Sequence, residues 1–198
     1  MKLAIIIGTT RQGRKTDRLA KWAAHTAKQI EGVEAELVDL RDYPMPFFDE
    51  PISPRYNPKR EIDPAVQPWL DTLQGFDAYL FVTAEYNHSI AAVLKNALDY
   101  VTSEFVHKPA AVISHGSAGG ARAMTDLKEI LSESRAVVIP VGPSLAITGM
   151  SDIIDEDGAL SEAAKANPYG PQAGLEDLLT DLKWYSDALH VARNQANA

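Results

Sequence analysis

Apolar residues fall into short unbroken runs, each closed by a polar or glycine-containing turn and followed by helical spacing. The runs are Leu3 to Ile7, Ala78 to Thr83, Ala110 to Ser114 and Ala136 to Ile139. Runs such as Leu3-Ala4-Ile5-Ile6-Ile7 and Tyr79-Leu80-Phe81-Val82 have no polar alternation, the pattern of parallel strands buried on both faces. A fifth strand, Ala35 to Leu40, does alternate and reads as an edge strand with one wetter side. Between them, Leu19, Ala23, Ala27 and Ile30 recur at helical spacing, as do Leu94, Ala97, Leu98 and Val101, and then Met124, Leu127 and Leu131. Leu175, Leu178, Leu179, Leu182 and Leu189 mark a C-terminal helix.

Seven of the twelve prolines lie between Asp42 and Pro68, which excludes a regular helix or central strand through most of that segment and predicts a long surface loop. A helix is expected from about Pro64 to Leu73, and a second loop from Asp152 to Pro171. No internal repeat is present. Strands alternating with helices predict an α/β chain with an open, doubly wound parallel sheet of five strands, formed as one domain over residues 1–198. In such sheets ligands bind outside the carboxyl ends of the strands, where strand order reverses. The loops starting at Gly8, Thr83 and Ser114 are therefore the candidate site.

Composition narrows the chemistry. The 198 residues contain no cysteine, so disulfides, thiolate metal sites and cysteine nucleophiles are excluded, and redox chemistry would run on a bound cofactor. A formal charge of -8 argues against broad binding to nucleic acid or anionic membranes. The opening apolar run is too short for a signal peptide core, and no stretch approaches the roughly 20 residues of a membrane span, so a cytoplasmic protein is expected.

The first loop, Gly8-Thr9-Thr10-Arg11-Gln12-Gly13-Arg14-Lys15-Thr16, joins a strand to a helix and suits a phosphate. Its glycines relax the backbone, its threonines offer hydroxyls, its three cations supply charge, and the helix start presents unpaired N–H groups. The bland alternative is a solvated turn capped by Thr16. The loop is not a Walker motif, because Arg14 stands where Lys should follow Gly13, and no G-x-G-x-x-G dinucleotide fingerprint occurs here.

The second loop, Thr83-Ala84-Glu85-Tyr86-Asn87-His88-Ser89, leads to Leu94-Lys95-Asn96-Ala97-Leu98-Asp99, and the third runs Ser114-His115-Gly116-Ser117-Ala118-Gly119-Gly120-Ala121-Arg122. Glu-Tyr-Asn-x-Ser with Leu-Lys-Asn-Ala-Leu-Asp resembles the signature of the NADPH-dependent FMN reductase family, a flavodoxin-like group that includes quinone, chromate and azo-dye reductases. The first loop is similar to that family's phosphate loop, and the third to its Ser-x-Gly-x-x-Gly-Gly-Ala-Arg stretch. The resemblance runs over roughly residues 3 to 140 with the three motifs in order. It departs from the family at Ala84, where proline is usual, and at Ile90-Ala91-Ala92, where Pro-Gly often stands.

The resemblance implies a flavodoxin-like sheet in the order 2-1-3-4-5 with helices on both faces, bound FMN, and NADPH or NADH as a visiting electron donor. Phosphate contacts are expected from Thr9, Arg11, Arg14 and Thr16, and flavin contacts from Glu85, Tyr86, Asn87, Ser114 and Gly116, with His115 either a flavin or acceptor contact or merely a loop residue. No acid–base residue is required, since the cofactor carries the hydride from NAD(P)H to a flavin, quinone, azo dye or metal oxyanion in a ping-pong cycle. A homodimer or homotetramer is implied, with the Pro-rich loop as a contributor. The rivals are a flavodoxin-type electron carrier that does not use NAD(P)H and a flavin-free phosphate-binding regulator. His88 reads as solvated, Lys95, Asn96 and Asp99 as packing or subunit residues, Asp155 to Gly158 as a solvated turn rather than a calcium loop, and Trp22, Trp69 and Trp184 as helix packing.

Overall fold

A computed structural model of the chain describes residues 1–140 and 142–196. Strands β1 (Lys2–Ile7), β2 (Glu34–Asp39), β3 (Ala78–Ala84), β4 (Pro109–Gly116), β5 (Val137–Val138) and β6 (Ser144–Ala146) form one parallel sheet in the order β2-β1-β3-β4-β5, with β6 also paired to β4. Every residue of β3 and β4 is buried, as their unbroken apolar runs require. β2 lies at the edge and is mostly exposed or half-buried.

The fifth lane departs from a single strand at Ala136 to Ile139. β5 pairs with Pro109 and Ala110 at the start of β4, and β6 with Ser114 to Gly116 at its end. Pro140 and Pro143 lie between them and have no N–H to give a ladder. Gly142 passes so near β4 that a Cβ there would stand 2.2 Å from the Val112 carbonyl oxygen.

Alternation along β1 sorts the core into two layers. Leu3, Ile5 and Ile7 face α1 (Thr16–Ala27) and α7 (Pro171–Ala196), packing with Leu19, Trp22, Leu175 and Leu182. Ala4 and Ile6 face α2 (Gln67–Gln74), α3 (Ala92–Asp99) and α4 (Ala121–Glu133), packing with Trp69, Leu73, Leu94 and Leu127. Helices thus cover both faces in the doubly wound manner, and the order 2-1-3-4-5 is flavodoxin-like. Trp22 and Trp69 are buried with their indole N–H groups donating to Gln172 Oε1 and the Ala97 carbonyl, whereas Trp184 is 65% exposed on α7 and is not a core residue.

The Pro-rich loop is fastened at both ends. Asn96 on α3 donates to the Pro46 carbonyl and accepts from the Phe48 N–H, and half-buried Arg60 pairs with Glu50 while donating to Thr102 Oγ1 and the Tyr100 carbonyl. The segment from Asp152 to Pro171 is more ordered than a loop. It opens within the short α5 (Met150–Ile153) and contains α6 (Glu162–Ala166), capped by Ser161, with buried Ile154 and Leu160 bridged to each other between the two. Its Asp155 carboxylate accepts the N–H groups of Asp157 and Ala159, closing a local turn. Among the described residues no helix is long and apolar enough to cross a membrane.

Candidate functional site

The strand order reverses between β1 and β3, and the loops after β1, β3 and β4 meet at their carboxyl ends. The first loop starts with Gly8 pressed between Leu94 and the Val82 carbonyl, to which its N–H donates at 2.8 Å, leaving no room for a side chain. The loop then turns back through Gly13 at φ +65°, and the Arg14 N–H closes the turn on the Arg11 carbonyl. Helix α1 follows with Lys15 at its N-cap position and no side-chain cap; in its first turn the Arg18 N–H is shared between the Lys15 carbonyl and Asp17 Oδ1. Thr16 is the first helical residue rather than the cap.

The hydroxyl of Thr16 is used beneath the loop. It accepts from Thr9 Oγ1 at 2.8 Å and lies 2.8 Å from His115 Nε2, with all three residues buried. Arg14 is also turned under, binding both Asp39 oxygens and the Thr9 carbonyl. Burial would raise Asp39, but the Arg14 hydrogen bonds, the Arg41 N–H and the two cations outweigh it and hold the carboxyl below its usual range. Arg41 secures the outer side by donating to the Thr10 and Arg11 carbonyls. Arg11 remains exposed with its guanidinium 5.4 Å from the centre of the Tyr86 ring, which brings the first and second loops together.

In the second loop Tyr86 and Ser89 exchange backbone hydrogen bonds around Asn87 and His88, whose φ values of 50° and 71° are the left-handed pair of a type I′ turn. Glu85 anchors this hairpin to the third loop. Its N–H donates to the His115 carbonyl at 2.7 Å, and its carboxylate accepts the Arg122 N–H at the start of α4 and pairs with the Arg122 guanidinium. Its burial is outweighed by the Arg122 and Ala123 N–H groups and the Arg122 charge, so its carboxyl is held low. In the third loop Gly119 and Gly120 take φ +78° and +76°, and Ser114 Oγ donates to the Gly119 carbonyl.

The rim thus brings together all ten residues singled out from sequence, but in two tiers. Arg11, Tyr86 and Asn87 stand at or near the surface. Thr9, Arg14, Thr16, Ser114, His115 and Gly116 are buried below, and Glu85 ties two loops. Two buried side-chain nitrogens lack a partner among the described residues, Arg14 Nε and His115 Nδ1, and both belong to this rim. The open Nε–H of Arg14, the exposed Arg11 and the first turn of α1 are the donor chemistry that a phosphate group takes.

The match to a protein-family model decides the family: residues 1–148 fit NADPH-dependent FMN reductase. The chain belongs to that family. It is 32% identical to an NAD(P)H-dependent FMN reductase of Schizosaccharomyces pombe over 146 residues, covering 74% of this chain and 73% of the relative. It is 31% identical to an NADPH azoreductase of a Bacillus species over 198 residues, covering 98% of each. In fold it is similar to an NAD(P)H:(acceptor) oxidoreductase from Paracoccus denitrificans, with a TM-score of 0.67, 24% identity, and 96% and 97% of the two chains covered. It is an oxidoreductase family that works with FMN and NAD(P)H.

Within this FMN reductase rim, sequence reasoning missed Asp39, Arg41 and Arg122. Parallel pairing sets Asp39 beside Ile7, so its place at the end of β2 puts it next to the first loop once β2 is known to flank β1. Arg122 was part of the third motif, but its pairing with Glu85 follows only from the meeting of two loops 37 residues apart.

Proposed function

We propose that this chain binds FMN across the rim and is an NAD(P)H-dependent reductase of small-molecule acceptors. The carrying observation is the first loop: an uncapped α1 N-terminus, exposed Arg11, and an unpartnered guanidinium nitrogen on buried Arg14, all at the switch point of the sheet. FMN, when bound, supplies hydride chemistry that no side chain of a cysteine-free protein offers, passing reducing equivalents from NAD(P)H to the acceptor in ping-pong order.

The protein's part is to hold and orient. The first-turn N–H groups of α1 and Arg11 would hold the phosphate, Arg14, paired with Asp39, would brace the loop from below, and Thr9 and Thr16 would build the floor on which those donors sit. Tyr86 and Asn87, displayed on a tight left-handed turn, flank the ring with the backbone around Gly116, and Ser114 and Glu85 keep that wall in register. Acceptors in keeping with such a site are free flavins, quinones, metal oxyanions and azo compounds, the last being the substrate class named for the Bacillus relative.

We read the whole chain as one domain that works in the cytoplasm as a homodimer or homotetramer. Exposed Phe47, Ile52 and Tyr56 on a firmly anchored Pro-rich loop support subunit contact there.

The test is an anaerobic titration of the FMN-saturated protein, following the flavin band near roughly 450 nm. Bleaching at stoichiometric NADPH or NADH is the expected result and ranks the two donors. Bound FMN that stays oxidised with both would replace the reductase by an electron carrier.

A further inference from the structure

One residue touches all three loops. His115, the penultimate residue of β4, is 3% exposed. Its carbonyl accepts the Glu85 N–H, which fixes the second loop, and its backbone lies so close beneath Gly120 that a Cβ there would come within 2.8 Å of the His115 nitrogen, which fixes the third. Its side chain serves the first. Strand alternation puts it on the face of Ile113, toward α1 and α7, and opposite to Ser114 and Gly116, so it cannot share their ring-side position. There Nε2 meets Thr16 Oγ1, the first residue of the phosphate-loop helix, and Thr16 in turn receives Thr9.

We infer that His115 is a positioning residue for the cofactor phosphate, acting through the Thr16 hydroxyl rather than by touching flavin or acceptor. The imidazole pins the start of α1 to the end of β4, and the first-turn N–H groups inherit the position of that strand. Burial, aided by the nearby Arg11 and Lys15 cations, pushes its pKa down to about 4, against a weaker opposing effect of Asp17. The ring is therefore neutral at physiological pH and adds no charge to the phosphate site. A histidine that merely filled the core would affect the whole flavin site alike, whereas this one should affect phosphate recognition alone.

This inference rests on the FMN reading, and the test separates the two. FMN and riboflavin, which differ by the phosphate, are titrated into the flavin-free full-length protein with fluorescence quenching as the readout. The variants are H115Q, whose terminal amide reaches the position of Nε2, and H115N, which stops at the position of Nδ1. In H115N the preference for FMN over riboflavin should fall about tenfold, the scale of one buried hydrogen bond, with riboflavin affinity unchanged. H115Q should stay within about threefold of the parent, and Thr16→Val should behave like H115N. Equal weakening of both flavins, or no change in H115N, would overturn the inference. A parent protein that does not distinguish FMN from riboflavin would instead remove the phosphate reading on which it stands.

A second readout needs no flavin. In the 15N-labelled protein the His115 Nε2 resonance should move when Thr16 is changed to Val, and a resonance indifferent to that change shows that the bond is not made.

Discussion

Asp39 and His115 carry the lower tier of the site, and each makes its own prediction. Arg14 keeps only 4% of its side chain exposed, and Asp39 is its counter-charge. Asp39→Asn leaves a buried guanidinium without an anion and should cost about 2 to 4 kcal/mol in urea unfolding. A loss below about 0.5 kcal/mol would mean that water already compensates Arg14. The neutral state of His115 makes stability depend on pH. Its ordinary value of 6.5 falls to about 4 on folding, so the unfolded chain binds the proton first as pH drops. The stabilisation is complete above about 6.5 and is lost as pH falls toward 4, by about 3 kcal/mol. H115Q should lack that component, and parallel pH profiles of the two proteins would contradict it.

At the scale of elements, the turns decide what the strands present. Gly120 combines φ +76° with His115 backbone atoms 2.8 to 2.9 Å from any Cβ, and backbone cannot yield as a side chain tip would. Gly120→Ala should therefore cost about 2 to 3 kcal/mol in chemical denaturation and weaken FMN binding, since it lifts the third loop off β4. The glycine pair in the third motif was legible in the sequence, but its partner was not: only the folded β4 shows that His115 fills the space below. The same limit explains the fifth lane. Ala136 to Ile139 reads as a strand, yet Pro140 and Pro143 split the lane, and β6 is three residues long, too short for periodicity to reveal. α5 and α6, of four and five residues, escaped for the same reason. The unbroken runs of β1, β3 and β4 and the long helical stripes were plain, because burial on both faces or along one stripe imposes a pattern that a single sequence displays.

At the scale of the whole molecule, the sheet order and the meeting of the three loops followed from strand and helix alternation together with a family resemblance. The split of the rim into an exposed and a buried tier did not. Thr9, Arg14 and Thr16 look alike in the sequence to the exposed Thr10 and Arg11, and only the Asp39 carboxylate beside β1 and the imidazole on β4 draw the first three under. Assembly is a prediction of this scale. Sedimentation should give a multiple of the 21.6 kDa chain, and Phe47→Lys with Tyr56→Lys should return it to single chains. A single-chain mass for the unaltered protein would remove the Pro-rich loop as a subunit contact.

The place of the cofactor phosphate is decided by a crystal structure of the FMN-saturated protein. The phosphate is expected within hydrogen-bonding distance of the first-turn N–H groups of α1 and of Arg11, with the ring beside Tyr86 and the backbone at Gly116 and with the Thr16–His115 bond intact. Flavin bound elsewhere, such as the cleft between Trp22 and Gly158, or a phosphate turned to solvent away from α1, would contradict it.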